Sequence, residues 1–283
     1  MISSDPSAKA NGFTLIELAI VLFIVALLLG GMLVPFSAQQ EIHGRQETDR
    51  ALATIREALL GFALINGRLP CPAIAATATG TNDSEGKAAG TEAIKAGTSG
   101  NCICTTTASG IASVGNNQCN PTSAAGYVSG VLPWATLGLP ETDAWGNRYT
   151  YTMLAMYGRT ASGQTAFGTD TSGNPCLPTS NPTSAAFALC SAQASSSISL
   201  SVKTSATGTV IASAVPAIVL SHGRNTLGAY LPTGNKISGA SGDELENADG
   251  NSVFVSSTAI DDQVIWIPLS TLMSKMIAAG KLP

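Results

Sequence analysis

Glu17 stands at the head of residues 18–34, a seventeen-residue run without a charge. A carboxylate placed there is costly unless it finds a partner, so it is the first candidate for a functional group. A second group of oxygen ligands gathers near the other end: Asp243, Glu244, Glu246, Asp249, Asp261 and Asp262, with Asn247 and Asn251 among them. Hard oxygen donors suit calcium, although the spacing is not that of an EF-hand loop, and a solvated acidic loop is the other reading. Six cysteines (Cys71, Cys102, Cys104, Cys119, Cys176 and Cys190) form an even set with neither a C-x-x-C pair nor zinc-ligand spacing. They read as up to three disulfides in an oxidising compartment, with several free buried thiols as the other reading. Cys176 and Cys190 make the easiest pair. The other four allow three connectivities, with Cys102 and Cys104 too close to pair comfortably with each other.

Catalytic signatures are missing. No G-x-S-x-G elbow, H-E-x-x-H, P-loop or G-x-G-x-x-G is present. His222, Asp243 and a serine could be drawn as a triad, but a histidine in a turn is the plainer reading, and the chain reads as a non-enzyme. Trp134 and Trp145 could stack on a sugar or simply pack. Charged residues make up 11% of the chain and the net charge is -4, which leaves no basic face for phosphates and argues against nucleic acid as a partner. No cofactor other than calcium suggests itself.

The elements that would position these groups begin at the N-terminus. Residues 1–12 are polar and include Lys9, and the apolar run that follows is of membrane-spanning character. A secretory signal peptide also joins a positive start to an apolar core, but it should end in a small-x-small cleavage site. Here the run leads instead into Pro35, Phe36 and a polar stretch. Leu52, Ile55, Leu59 and Phe62 then recur at helical spacing, which predicts a helix over residues 13–65, its first half membrane-compatible and its second half amphipathic. Gly30, Gly31 and Pro35 are helix breakers within it, so a kink or an extensible segment is expected there.

The order Gly12-Phe13-Thr14-Leu15-Ile16-Glu17 resembles the processing site of type IV prepilins and type II secretion pseudopilins. The resemblance implies cleavage by a prepilin peptidase between Gly12 and Phe13 and methylation of the new N-terminus at Phe13. It also implies that the apolar run stays on the mature subunit. Glu17, fifth in the mature chain, would pair with the N-terminal amine of a neighbour as a filament grows. The plainer alternative is a carboxylate at headgroup level that merely favours the helix dipole. The breaker at Pro35 would allow stretching on assembly, and calcium in a C-terminal loop is a feature of several secretion pseudopilins.

Residues 66–283 read as a globular head. Residues 73–126, rich in Ala, Thr, Ser, Gly and Asn, read as a long loop stapled by cysteines. Residues 143–151 resemble the D-x-W-G-x-x-Y-x-Y segment that enters the sheet of major pseudopilins. Strands are expected at Tyr149, Tyr151 and Met153, at Ile198, Leu200 and Val202, at 217–220, at 253–255 and at 264–267, with a closing helix over about 269–279. The fold class is α+β, with a long N-terminal helix packed on an antiparallel sheet. The organisation is a leader at 1–12, a helix at 13–65 with a transmembrane run at 18–34, and the head. The function expected is a structural subunit, major, minor or secretion pseudopilin, whose partners are the prepilin peptidase and other pilins. It would sit in the inner membrane with a periplasmic head before assembly, and in a periplasmic or extracellular filament afterwards. The alternative is a membrane-anchored module whose head recognises a surface or carbohydrate.

Overall fold

The computed structural model describes residues 14–83, 86–94, 102–106, 112–118, 127–158 and 200–280, with backbone alone at 29–38, 103–106, 112–118 and 155–156. Gly12, Phe13, Cys119, Cys176 and Cys190 lie outside the described residues, as does the side chain of Cys104. The chain divides into two units, residues 1–44 and 45–283.

Helix α1, Leu15–Asn66, begins at Thr14 and ends where Gly67 turns left-handed at φ 69°. The Gly67 N–H reaches the carbonyl of Ala63 at 2.8 Å, closing the last turn, and Pro70 follows. In the first unit the described apolar side chains are exposed, from Leu15 at 90% to Leu28 at 60%. Among the described residues no helix is long and apolar enough to cross a membrane. Residues 29–34 of the predicted apolar run lie outside the described side chains. The backbone stays helical through Gly30, Gly31 and Pro35, although proline cannot donate the usual bond to the carbonyl four residues back.

In the second unit the helical stripe is buried as its spacing predicts. Leu52, Ile55 and Leu59 are in the core, joined by Leu60 and Ala63. Phe62 is only half-buried and lies under the Arg68 guanidinium, 5.2 Å from its ring centre, so Leu60 and Ala63 take its expected place. Each such Leu or Ile contributes about 1.5–3 kcal/mol by leaving water.

That stripe shares one core with a four-stranded antiparallel sheet in the order β3 (Tyr127–Val131), β4 (Thr150–Leu154), β7 (Ala217–Ser221), β9 (Gln263–Ile267). Tyr151 opposes Val219, which in turn opposes Ile265. Every residue of β7 is buried, which suits its position inside the sheet. Helix α4, Leu269–Ala278, adds Leu272, Met273 and Met276 to the same core. The α+β class is therefore observed, with the strands near 150, 217, 253 and 264 where the sequence pattern placed them.

Three features go beyond the sequence reading. The stretch 73–126, read as loop, contains a hairpin of β1 (Ile103–Thr106) and β2 (Ala112–Gln118). A second sheet, in the order β6 (Val210–Ser213), β5 (Ser201–Lys203), β8 (Val253–Val255), pairs β5 with β8 in parallel rather than antiparallel. Among the described residues the head also carries the short helices α2 (Trp134–Leu137) and α3 (Gly242–Ala248), α3 falling within the acidic segment. Among the described residues a disulfide joins Cys71, just past the end of α1, to Cys102.

Candidate functional site

The N-terminal site is built by the first turn of α1. Thr14 donates its N–H to Glu17 Oε2 at 2.9 Å and its hydroxyl to the same oxygen at 2.8 Å, and the Glu17 N–H returns a bond to Thr14 Oγ1 at 3.3 Å. This is a capping box, in which a threonine before the helix and a glutamate three residues on satisfy each other's free donors. The sequence resemblance points to a neighbour's N-terminal amine as the partner of Glu17. The structure supplies Thr14, and the T-x-x-E spacing ahead of an apolar run was the available signal. Glu17 Oε1 makes no hydrogen bond among the described residues, and the turn that carries it is exposed.

The acidic segment of the head disperses. Asp243 accepts the Ala206 N–H at 2.7 Å, Asp249 takes the N–H and amide of Asn251 at 2.9 and 2.7 Å, and Glu246 accepts from the same amide at 3.4 Å. Asp261 accepts the Asn225 N–H at 2.7 Å, and Glu244 meets the Asn225 side chain. Asp262 accepts from Asn247 at 2.7 Å, while Asn247 pairs with both backbone groups of Val255 and so ties α3 to β8. Among the described residues no three His, Cys, Asp or Glu side chains are grouped to hold a metal ion. The calcium expectation therefore finds no ligand set there.

His222 does not meet Asp243. Its Nε2 lies 3.0 Å from Thr150 Oγ1, and its Nδ1 stands 4.0 Å from Asp262 Oδ1. Hydroxyl, imidazole and carboxyl thus stand in the order of a nucleophile relay, yet the imidazole is 1% exposed and out of reach of a substrate. Burial pushes His222 down to about 3 and Asp262 up to about 7. The imidazole is accordingly neutral and a weak base, and it faces a carboxyl group that holds its proton more readily than usual.

Arg148 is the polar hub of the head. Fully buried, it donates to Glu141 at 2.8 Å, to the carbonyls of Ala75 and Thr77 at 2.9 and 2.8 Å, and to Thr79 Oγ1 and the Pro232 carbonyl at 3.1 Å each. Its guanidinium also lies 4.6 Å from the ring centre of Trp134. At Gly90, whose φ is 78°, a Cβ would come within 2.1 Å of the same indole. Trp134 is thus packed between a cation and a glycine and is closed to a sugar. Trp145 sits half-exposed in a turn whose N–H groups, at Trp145 and Asn147, both point at Asp143 Oδ1. A second charged pair, Arg68 with Glu92 at 2.8 and 2.9 Å, lies beside the disulfide, and Glu92 also accepts the Cys71 N–H.

Comparison with known proteins bears on the N-terminal site. Residues 7–33 match the family model described as the prokaryotic N-terminal methylation motif. No curated protein and no solved structure matches the chain. The matched segment contains Thr14 and Glu17 and the start of α1, and through it the chain bears the signature of the prepilin-type proteins, the type IV pilins and pseudopilins.

Proposed function

We propose that the protein is a structural subunit of a type IV pilus-like filament, cut by a prepilin peptidase after Gly12, methylated on Phe13 and assembled through α1. The observation that carries this reading is the methylation motif over residues 7–33, with Glu17 ordered at the start of the helix. The capping box supports a defined role for the carboxylate. Thr14 occupies Oε2, which leaves Oε1 to accept from the N-terminal amine of a neighbouring subunit, a charge-assisted bond of the stronger kind. The disulfide Cys71–Cys102 suits a head that folds in an oxidising compartment, on the outer side of the inner membrane before assembly.

The decisive experiment is mass spectrometry of the mature chain expressed with a prepilin peptidase. A chain beginning with methylated Phe13 is expected, and an intact leader would refute the processing. Glu17→Ala should then block entry into filaments while leaving the head folded. If the variant assembles as well as the native chain, α1 is only a tether.

A further inference from the structure

Glu47, Ala51 and Ile55 on α1 form a pocket of about 190 Å³ with Leu139, Pro140 and Tyr149. All of these residues lie in the second unit. The walls are mostly apolar and the volume is on the scale of one long side chain. Tyr149, one of the walls, keeps a buried hydroxyl without a hydrogen-bond partner, an unusual state for a buried phenol. Burial first, and then the negative charges of Asp143 and Glu47, push its titration upward, so both carboxylates face that hydroxyl. Asp143 is engaged by Ser221 at 2.6 Å, whereas exposed Glu47 has no hydrogen bond or ion pair among the described residues. An apolar slot with a negative rim fits an apolar stem that ends in a cation.

A donor of that kind is present on the same helix. Arg56 is exposed and has no partner among the described residues. It lies five residues past Ala51, roughly 140° around a helix of about 3.6 residues per turn. The buried stripe of Leu52 and Leu59 runs between the two. A molecule therefore presents its pocket on one flank of this seam and Arg56 on the other, and it cannot fill its own pocket. A contact between two different patches propagates along an open array when its rotation does not close a ring.

We propose that Arg56 of one copy seats in the Glu47–Tyr149 pocket of the next, as a lateral contact between subunits. This rests on the filament reading above. The test uses the full chain expressed with its peptidase, with sheared filaments quantified and the mature N-terminus checked by mass. Glu47→Arg and Arg56→Glu each juxtapose like charges and should each lower filament yield by about tenfold or more. The double variant, which restores the pair in reverse, should recover most of the yield. Ala51→Phe, which fills the slot without touching charge, should reproduce the single-variant loss and stands in for either reversal if its head fails to melt cooperatively. Single variants that assemble like the native chain, or a double variant no better than either single, would overturn the contact. If Glu17→Ala blocks assembly while the reversals do not, only the pocket contact falls. If the processed native chain forms no filament, the filament reading fails and the contact fails with it.

Discussion

Arg148 holds together segments that are far apart in sequence, because its planar fork reaches carbonyls near 75, a hydroxyl at 79, a carboxylate at 141 and a carbonyl at 232 at once. Arg148→Met should keep much of the packing and leave those acceptors unpaired. A loss of about 3–5 kcal/mol is expected, read as a lower melting temperature of the head. Arg148→Lys should recover only part of it, since an ammonium cannot span the same set. The His222–Asp262 pair makes a different prediction. Asp262 is raised from 3.8 to about 7 and His222 lowered from 6.5 to about 3, with Asp261 and Glu244 facing the carboxyl and Lys236 facing the imidazole. Between about pH 4 and 6.5 the unfolded chain holds its proton on the histidine and the folded chain holds it on the aspartate. The proton counts match, and this pair gives stability no slope there. Below that window the unfolded state binds more protons, so stability falls as pH falls. Above 6.5 the folded state binds more, so stability falls as pH rises towards 7. His222→Gln removes one side of the balance, and the melting temperature should then decline steadily from about pH 4 to 7, measured with a chelator present. A flat profile for the variant would show that Asp262 titrates near its ordinary value.

At the level of elements, the disulfide fixes the chain just beyond α1 to the start of the β1–β2 hairpin, closing a loop between residues 31 apart. Replacing both cysteines by serine should cost about 3–4 kcal/mol through the freed unfolded chain. Chemical denaturation of native and Cys71→Ser/Cys102→Ser heads would measure it. Elements with a repeating apolar signal were legible beforehand. The α1 stripe, the Tyr-Thr-Tyr alternation of β4, the apolar runs of β7 and β9 and the amphipathic α4 all appear near their expected places. The rest was obscure for definite reasons. Strand β2, with Gly, Asn and Gln among its residues, has no alternation to read, and its pairing rests on backbone bonds. Strands β5 and β8 pair in parallel across some fifty residues, and no local pattern announces such a partner. At the N-terminal site, the motif pointed to Gly12, Phe13 and Glu17, of which only Glu17 is among the described residues, and Thr14 was readable in principle from its spacing to Glu17. The Tyr149 pocket and the Arg148 hub were not, since their walls and acceptors come from segments that only folding brings together.

Across the whole molecule, the boundary at residue 45 separates two kinds of surface. The described apolar side chains before it, from Leu15 to Leu28, are exposed, whereas Thr48, Leu52, Ile55, Leu59, Leu60 and Ala63 all lie inside the head. A fragment starting at residue 45 therefore keeps every described α1 side chain that the core uses, together with Gln263, whose amide donates to the Arg45 carbonyl at 3.1 Å and to Asp49 at 2.6 Å. It also keeps the Lys275–Glu57 bridge between α4 and α1, although an exposed pair of this kind contributes little. Such a fragment should fold with its disulfide formed and melt in one cooperative transition, since the head shares one main core. Having lost residues 13–44 of the processed chain, it should also lack the means to assemble, and it should remain a monomer at concentrations where the processed full chain is expected to form filaments. Calorimetry and sedimentation of the two forms would decide the point. A fragment that melts without cooperativity would show that the first unit is needed to complete the head, and one that forms filaments would move the assembly determinant out of α1's first half and into the head itself.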